Sequence, residues 1–291
     1  MTTISITAIV TAYQRIEQTL ITLGKIKTCE PRPDEIIVHV DGDQKQCELS
    51  VRDAFPEVKI IRSEECVGPG GGRNKLIALS SNEYVASFDD DSYPIDNDYF
   101  ARVQELFEKF PEASILYAAV YHKGQSIEPD IKGAEWISDF VGCGCVYRRA
   151  AFLSTEGYVP LPVAYGMEEV DLALRLHAQG ARILSTPWLR VFHDTDLKHH
   201  AHPEITAGSI ANLALLTYLR YPPWLWGLGI AQCCNRIWWL VRNRRSRGIL
   251  TGLFRIPKHL LRYRSYQKVL STKAVMSYLE LRRQPKQIST V

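Results

Sequence analysis

Apolar and polar positions in the first 120 residues follow two alternating periods. Ile4–Val10, Ile36–Val40, Val58–Ile61, Tyr84–Phe88 and Ile115–Val120 are short runs rich in β-branched and aromatic residues, the pattern of buried strands. Between them, Ile16–Ile26, Lys45–Ala54, Asn74–Ser80 and Tyr99–Phe110 carry the spacing of helices with one covered face. Strand then helix, repeated, predicts an α/β fold: a mainly parallel sheet with helices on both faces. Pro31-Arg32-Pro33 and Gly68-Pro69-Gly70 punctuate the series.

After residue 120 the pattern loosens. Gly142–Val146 predicts a strand and Arg149 opens a short helix. Glu168–Gln179 predicts a clear helix, with Gly180 as its stop, and strands follow at Arg182–Ser185 and Leu189–Phe192. From Glu204 the chain changes character. Ile210–Leu219 and Trp224–Ile230 are apolar but broken by Arg220 and Pro222-Pro223. Without eighteen uninterrupted apolar residues, no membrane span is expected. The organisation expected is a catalytic domain over 1–203, with halves of about 1–120 and 121–203, and a helical extension over 204–291.

Charge sharpens that division. Residues 236–291 hold 14 of the 35 Lys and Arg residues and a single acid, Glu280. The first 235 residues keep 21 basic and 31 acidic residues. An acidic body thus carries a basic tail, which points to a polyanionic partner. Trp224, Trp226, Trp238 and Trp239 lie near Arg242, Arg244, Arg245 and Arg247. Over 224–264 this mixture fits an anionic membrane surface, with indoles at headgroup level; a helical cap packed on the core fits equally. No nucleic-acid module accompanies the arginines, so no nucleic-acid partner is expected. Seven cysteines in no paired spacing, and an N-terminus without a signal-peptide pattern, predict a cytoplasmic protein, its tail able to rest on the inner face of the cell membrane.

Five segments can carry chemistry. Asp89-Asp90-Asp91 follows an apolar strand, and three adjacent carboxylates are tolerable where a cation neutralises them; a solvated acidic turn is the plainer reading. Asp41 also ends a strand, where nucleotide folds place acids. Gly68-Pro-Gly-Gly-Gly-Arg73 reads as a loop opening a helix, with amides and a guanidinium for phosphate. Glu168-Glu169 opens a helix, with Asp171 and Arg175 as an i,i+4 pair. His193 follows a strand, with His199, His200 and His202 in a histidine-rich loop.

In that order, with Thr11-Ala12-Tyr13 on the opening strand and Gly142-Cys-Gly-Cys-Val-Tyr-Arg148, these elements resemble the family 2 glycosyltransferases, inverting enzymes of the GT-A fold. The resemblance spans roughly residues 4–195. It implies a nucleobase pocket at Thr11, Tyr13 and Asp41, with Arg73 and Asp89 beside the nucleotide. It implies Mn2+ or Mg2+ on Asp91, Asp89 and His193, and a catalytic base at Glu169 or Glu168, with Glu169 preferred. Trp136, Gly142, Cys143 and Gly144 would shape the donor-sugar and acceptor pockets. The expected reaction moves a sugar from a nucleotide diphosphate-sugar, of UDP or dTDP, to a hydroxyl of a glycan or lipid-linked acceptor in cell-surface polysaccharide synthesis. Competing readings are a sugar-phosphate nucleotidyltransferase, whose glycine-rich loop belongs near the first strand, and a non-catalytic nucleotide- or glycan-binding scaffold.

Overall fold

The computed structural model describes residues 5–195 and 202–288; Ile4, His199 and His200 lie outside them. In chain order the elements of the first half are β1 (Ile6–Ala12), α1 (Ile16–Lys27), β2 (Glu35–Val40), α2 (Lys45–Ala54), β3 (Lys59–Arg62), α3 (Gly68–Leu79), β4 (Tyr84–Asp89), β5 (Ser92–Pro94), α4 (Tyr99–Lys109) and β6 (Ala113–His122). The second half adds β7 (Ala134–Ile137), β8 (Cys145–Arg148), α5 (Arg149–Leu153), α6 (Glu168–Ala178), β9 (Arg182–His193), α7 (Pro203–Arg220), α8 (Trp226–Arg242), α9 (Ile249–Tyr263), α10 (Thr272–Arg283) and β10 (Lys286–Ile288).

One mixed, mostly parallel sheet runs in the order β10-β7-β9-β6-β8-β4-β1-β2-β3, with β5 on β9. Strands β4, β1, β2 and β3 are parallel, and so are β6 and β9. Strand β8 is antiparallel to both β4 and β6 and joins these two blocks. The α/β fold with helices on both faces is therefore the one the pattern predicts.

Alternation along β1 shows how the sequence builds two core layers. Ala8 and Val10 face one side with Val38, Ala86 and Phe88, where Leu23 and Ile26 of α1 and Val103 and Phe107 of α4 pack. Ile9 faces the other side with Ile37 and Val85, under Leu76 of α3, Leu172 of α6 and Leu215 of α7. A strand buried on both faces has no polar face, which is why β1 reads as a continuous apolar run.

Two boundaries differ from the sequence expectation. The segment 182–193 is one strand rather than two. Its pairing with β6 jumps from Thr186 to Arg190, because Pro187 lacks an N–H and the chain bulges there. Helix α3 begins at Gly68 rather than Asn74. Its glycines are poor helix formers but are demanded by close packing. A Cβ on Gly70 would sit 2.7 Å from the Glu168 carboxylate, and one on Gly72 2.6 Å from His39 Nδ1.

The C-terminal segment is woven into the body. Strand β10 pairs with β7, and Val275, Tyr278 and Leu279 of α10 join the core beneath α6. The Asp171–Arg175 pair gains a third member. Asp171 accepts from Arg175 Nη2 at 2.8 Å and from Arg220 Nε at 2.5 Å, and all three side chains are buried. Arg220 also donates to the Tyr266 carbonyl at 2.8 Å, tying α6, α7 and the residues after α9 together. Asp171→Ala would leave the buried Arg220 guanidinium without its anion and Arg175 with only Glu156, at 3.5 Å, and chemical denaturation should show a loss of about 3–5 kcal/mol. A loss below about 1 kcal/mol would mean the cluster is not what holds α7 in place.

Candidate active site

Parallel strands bring Thr11, His39 and Asp89 side by side, since Thr11 is in register with both others. Their C-terminal ends open onto a cavity of about 590 Å3 lined by Thr11, Tyr13, Arg15, Asp41, Asp89, Asp90, Asp91, Tyr165 and His193, among others. Acids far apart in the chain thus meet in one cleft at the carboxyl edge of the sheet, where such folds bind ligands.

Each acid has a distinct environment. Asp89 accepts from Thr11 Oγ1 at 3.2 Å and pairs with Arg73. Asp90 accepts from the Tyr13 N–H at 3.0 Å. Burial, joined by the charges of Asp91 and Asp89, pushes its carboxyl up to about 7. Asp91 is buried yet sits below the usual carboxylate range. Burial alone would raise it, but the hydrogen bond and charge of His193, and Arg15, outweigh that. His193 Nε2 lies 3.0 Å from Asp91 Oδ1, and Arg15 pairs with Asp91 and Asp90.

Arg73 lies deeper, almost fully buried on α3. It donates to Ser87 Oγ at 3.0 Å and to Glu168 Oε1 at 3.3 Å, and pairs with Asp89. Glu168 Oε2 is buried without a partner among the described residues, and burial, then the charge of Glu169, pushes the Glu168 carboxyl well up. Glu169 is half-buried and accepts from the Gly142 N–H at 3.1 Å. Burial raises its carboxyl too, with the Arg73 charge opposing. Gly142 in turn lies against the Arg73 guanidinium. Glu169, Gly142, Arg73 and Asp89 therefore form one connected group behind the cavity.

A divalent cation has suitable donors here. Ligand atoms of Asp89, Cys143 and His193 lie within 4.8 Å of one another, with Asp91 beside His193. Burial, then the Asp89 charge, pushes the Cys143 thiol well up, which disfavours the thiolate form that a metal binds. The remaining carboxylate and imidazole donors suit Mn2+ better than a purely oxygen-seeking ion.

Residues 7–133 match the family described as Glycosyl transferase family 2. That match covers less than half of the chain, the part that runs from β1 through β6. The likeness to solved structures extends the agreement in fold. GalNAc-T7, solved with UDP, GalNAc and Mn2+, superposes at a TM-score of 0.61 and 12% identity, over 76% of this chain and 49% of that one. The mannosyltransferase PcManGT from Pyrobaculum calidifontis, solved with GDP-Man and Mn2+, gives 0.60 at 13% identity, over 96% and 80%. TarS residues 1–349 from S. aureus, with UDP, gives 0.51 at 14% identity, over 74% and 70%. This chain thus spans about half the length of the GalNAc-T7 chain. No curated protein matches the sequence.

Four residues stand elsewhere than the sequence suggested. Trp136, on β7, packs edge-on against Phe110 at 6.0 Å and lines a different cavity with His177 and Gly180, at the far end of α6 from Glu169. Its strand is held by β9 and β10 at the sheet's edge, which takes it away from the acids. Gly144 is buried in the turn into β8, its N–H donating to the Ser87 carbonyl at 2.8 Å, so it shapes backbone rather than a pocket. Arg73 faces inward to Asp89 and Glu168 and is not on the cavity wall. Cys143, expected in the sugar pockets, faces His193 at 3.6 Å instead. His202 caps α7, accepting from the Glu204 N–H at 3.3 Å.

Sequence reasoning missed Arg15. The signal was a lone cation just past the first strand, opposite three consecutive acids. It also misread the amides of Gly68. These are not open to phosphate, because Asp41 accepts from the Val67 and Gly68 N–H groups, both at 2.9 Å, and from Cys66 Sγ at 3.1 Å. Asp41 therefore caps α3 from a neighbouring strand. Asp41→Ala should lower stability to denaturant by about 1–2 kcal/mol, as loss of a helix cap does; unchanged stability would leave Asp41 a ligand group only.

Proposed function

We propose that this protein is a metal-dependent, inverting glycosyltransferase that moves a sugar from a nucleotide diphosphate-sugar to a hydroxyl of a glycan or lipid-linked acceptor. The observation that carries this reading is the convergence of Asp41, Asp89, Asp91 and His193 on one cavity at the carboxyl edge of the sheet, with Glu169 joined to it through Gly142 and Arg73. The named complexes of the structural neighbours, with UDP or GDP-Man and two of them with Mn2+, support a nucleotide-sugar donor and a divalent ion. Uridine or thymidine is the nucleoside we assign first, with Thr11 and Tyr13 lining its end of the cleft.

Asp89, Asp91 and His193 would hold the ion, which when bound supplies positive charge to the diphosphate leaving group. The protein's own residues do the rest. Glu169 takes the proton from the acceptor hydroxyl as its oxygen attacks the anomeric carbon. The bond from that carbon to the diphosphate oxygen breaks on the opposite face, and its electron pair leaves with the diphosphate. Configuration inverts. Arg15, half-exposed at the same cavity, adds a cation where charge accumulates on the leaving group. Holding donor and acceptor in line supplies much of the rate. Glu168 is the positioning partner of Arg73 and not the base, since burial and the salt bridge leave it no route to an acceptor.

The tail supports a place at a membrane. Among the described residues no helix is long and apolar enough to cross a membrane. Trp224 is 75% exposed and Phe254 82%, beside an arginine-rich stretch. We assign this face to an anionic membrane surface. All seven cysteines are free, which fits the cytoplasmic side of that membrane and a role in cell-surface polysaccharide synthesis.

Glu169→Gln should keep nucleotide binding within about twofold and lose transfer by roughly 100-fold or more, the scale of a general base. A base must be ionised, and burial raises the Glu169 carboxyl. Transfer should therefore rise with pH through a pKa above the ordinary carboxylate range, and that limb should vanish in the variant. If Glu168→Gln is the dead enzyme and Glu169→Gln is active, the base is Glu168.

A further inference from the structure

Beneath the first turn of α6 lies a second cavity, of about 500 Å3, that the transfer chemistry does not use. Its wall is apolar on the body side, from Val170 and Leu174 of α6 and Leu213 and Leu216 of α7. On the other side α8 contributes Trp238 and Trp239 with the polar Gln232, Asn235 and Arg236. Consecutive residues separate it from the active-site cleft: Tyr165 lines the cleft and Gly166 lines this cavity.

The charges in it are unbalanced. No acidic side chain among the described residues lines the cavity, while Arg236 and Arg282 both do. Arg282 has Asp139 as a partner, at 2.9 Å. Arg236 has no acidic partner among the described residues. It is half-buried, stacks over the Trp239 ring at 4.8 Å, and faces a second cation in Arg245. Burial and then the Arg245 charge both work against its positive charge. An arginine held this way is stabilised by an anion. An amphiphile with an anionic head matches an apolar wall and a guanidinium without an acidic partner at its rim.

The exposed face beside the cavity says where such a molecule comes from. Trp238 is 58% exposed, and Val241, Leu250 and Phe254 are also open on α8 and α9. A trough whose aromatic rim continues into an exposed, arginine-rich apolar face lies open to the interior of a bilayer the face rests on.

We propose that this cavity binds a lipid carrying a terminal phosphate, its chain between α6, α7 and α8 and its phosphate on Arg236. The site deepens the transfer reading and rests on it in one respect: a lipid held there would lie one residue from the cleft, across Tyr165 and Gly166.

Farnesyl phosphate titrated into the full chain, followed by tryptophan fluorescence and calorimetry, tests the proposal. Binding should saturate, and Arg236→Ala should weaken it about tenfold or more, the scale of a hydrogen bond to a charged group. Farnesol should bind weakly to both proteins alike, and inorganic phosphate should not displace farnesyl phosphate. Leu213→Trp, which fills the trough without touching charge, should also weaken binding. Vesicles of phosphatidylglycerol should still bind the Arg236→Ala protein, whose surface arginines remain. Absence of farnesyl phosphate binding, equal binding to both variants, or equal loss of vesicle and farnesyl phosphate binding would each overturn the proposal. UDP and GDP titrated with Mn2+ into the same samples separate the two claims. Nucleotide binding without farnesyl phosphate binding sinks only this inference, whereas the reverse sinks the transfer reading and leaves the lipid site standing.

Discussion

The site depends on one buried guanidinium. Arg73 joins Asp89, at the end of β4, to Glu168, in the first turn of α6. The two carboxylates lie far apart in the chain; Asp89 keeps one side on the cleft, while Glu168 is fully buried and would not be tolerated there without the cation. With it, the strand end that faces the nucleotide cleft and the helix that carries Glu169 are fixed to one another. Gly70 and Gly142 serve the same contact, because Gly70 leaves room for the Glu168 carboxylate and Gly142 for the Arg73 guanidinium. A lysine would not do the same work, since the single guanidinium reaches Ser87, Asp89 and Glu168 in three directions at once.

Around that bridge the cleft holds an excess of negative charge. Asp90 relieves some of it by rising to about 7, and Arg15 and His193 relieve more by pairing with Asp91. An arrangement in which a half-exposed arginine and a histidine stand beside crowded carboxylates is suited to accepting a divalent ion and freeing the arginine for an anionic ligand. The electrostatics therefore favour a ligand that brings a cation and an anion together, as a metal nucleotide does.

Much of this was legible in the chain. The order of strands and helices through residue 122 followed from periodicity, because β1, β2 and β4 are buried on both faces and α4 has a clean apolar stripe. Asp41, Asp89, Asp91 and His193 were found because strand ends in parallel sheets converge. What was hidden had physical reasons. Strands β5, β7 and β10 have three or four residues, too few to show a period. The glycine run was taken for a loop because propensity disfavours a helix there; packing against Glu168 and His39 decided otherwise. Trp136 carried the chemistry of a sugar pocket but sits on the wrong strand for one. Nothing local to residue 73 or 15 announces which carboxylates they meet, since those partners are brought together only by the sheet.

Near the C-terminus, the same segment that closes the core through α10 and β10 also exposes the aromatic and arginine face of α8 and α9. Anchoring and exposure are thus separate parts of one element series. The central claim remains that cation and nucleotide share one cleft. Mn2+ affinity, read by the paramagnetic resonance of the free ion, should tighten when UDP or GDP is present, and nucleotide affinity should tighten by the same factor when Mn2+ is added. Mn2+ binding indifferent to both nucleotides, with nucleotide binding indifferent to Mn2+, would contradict it.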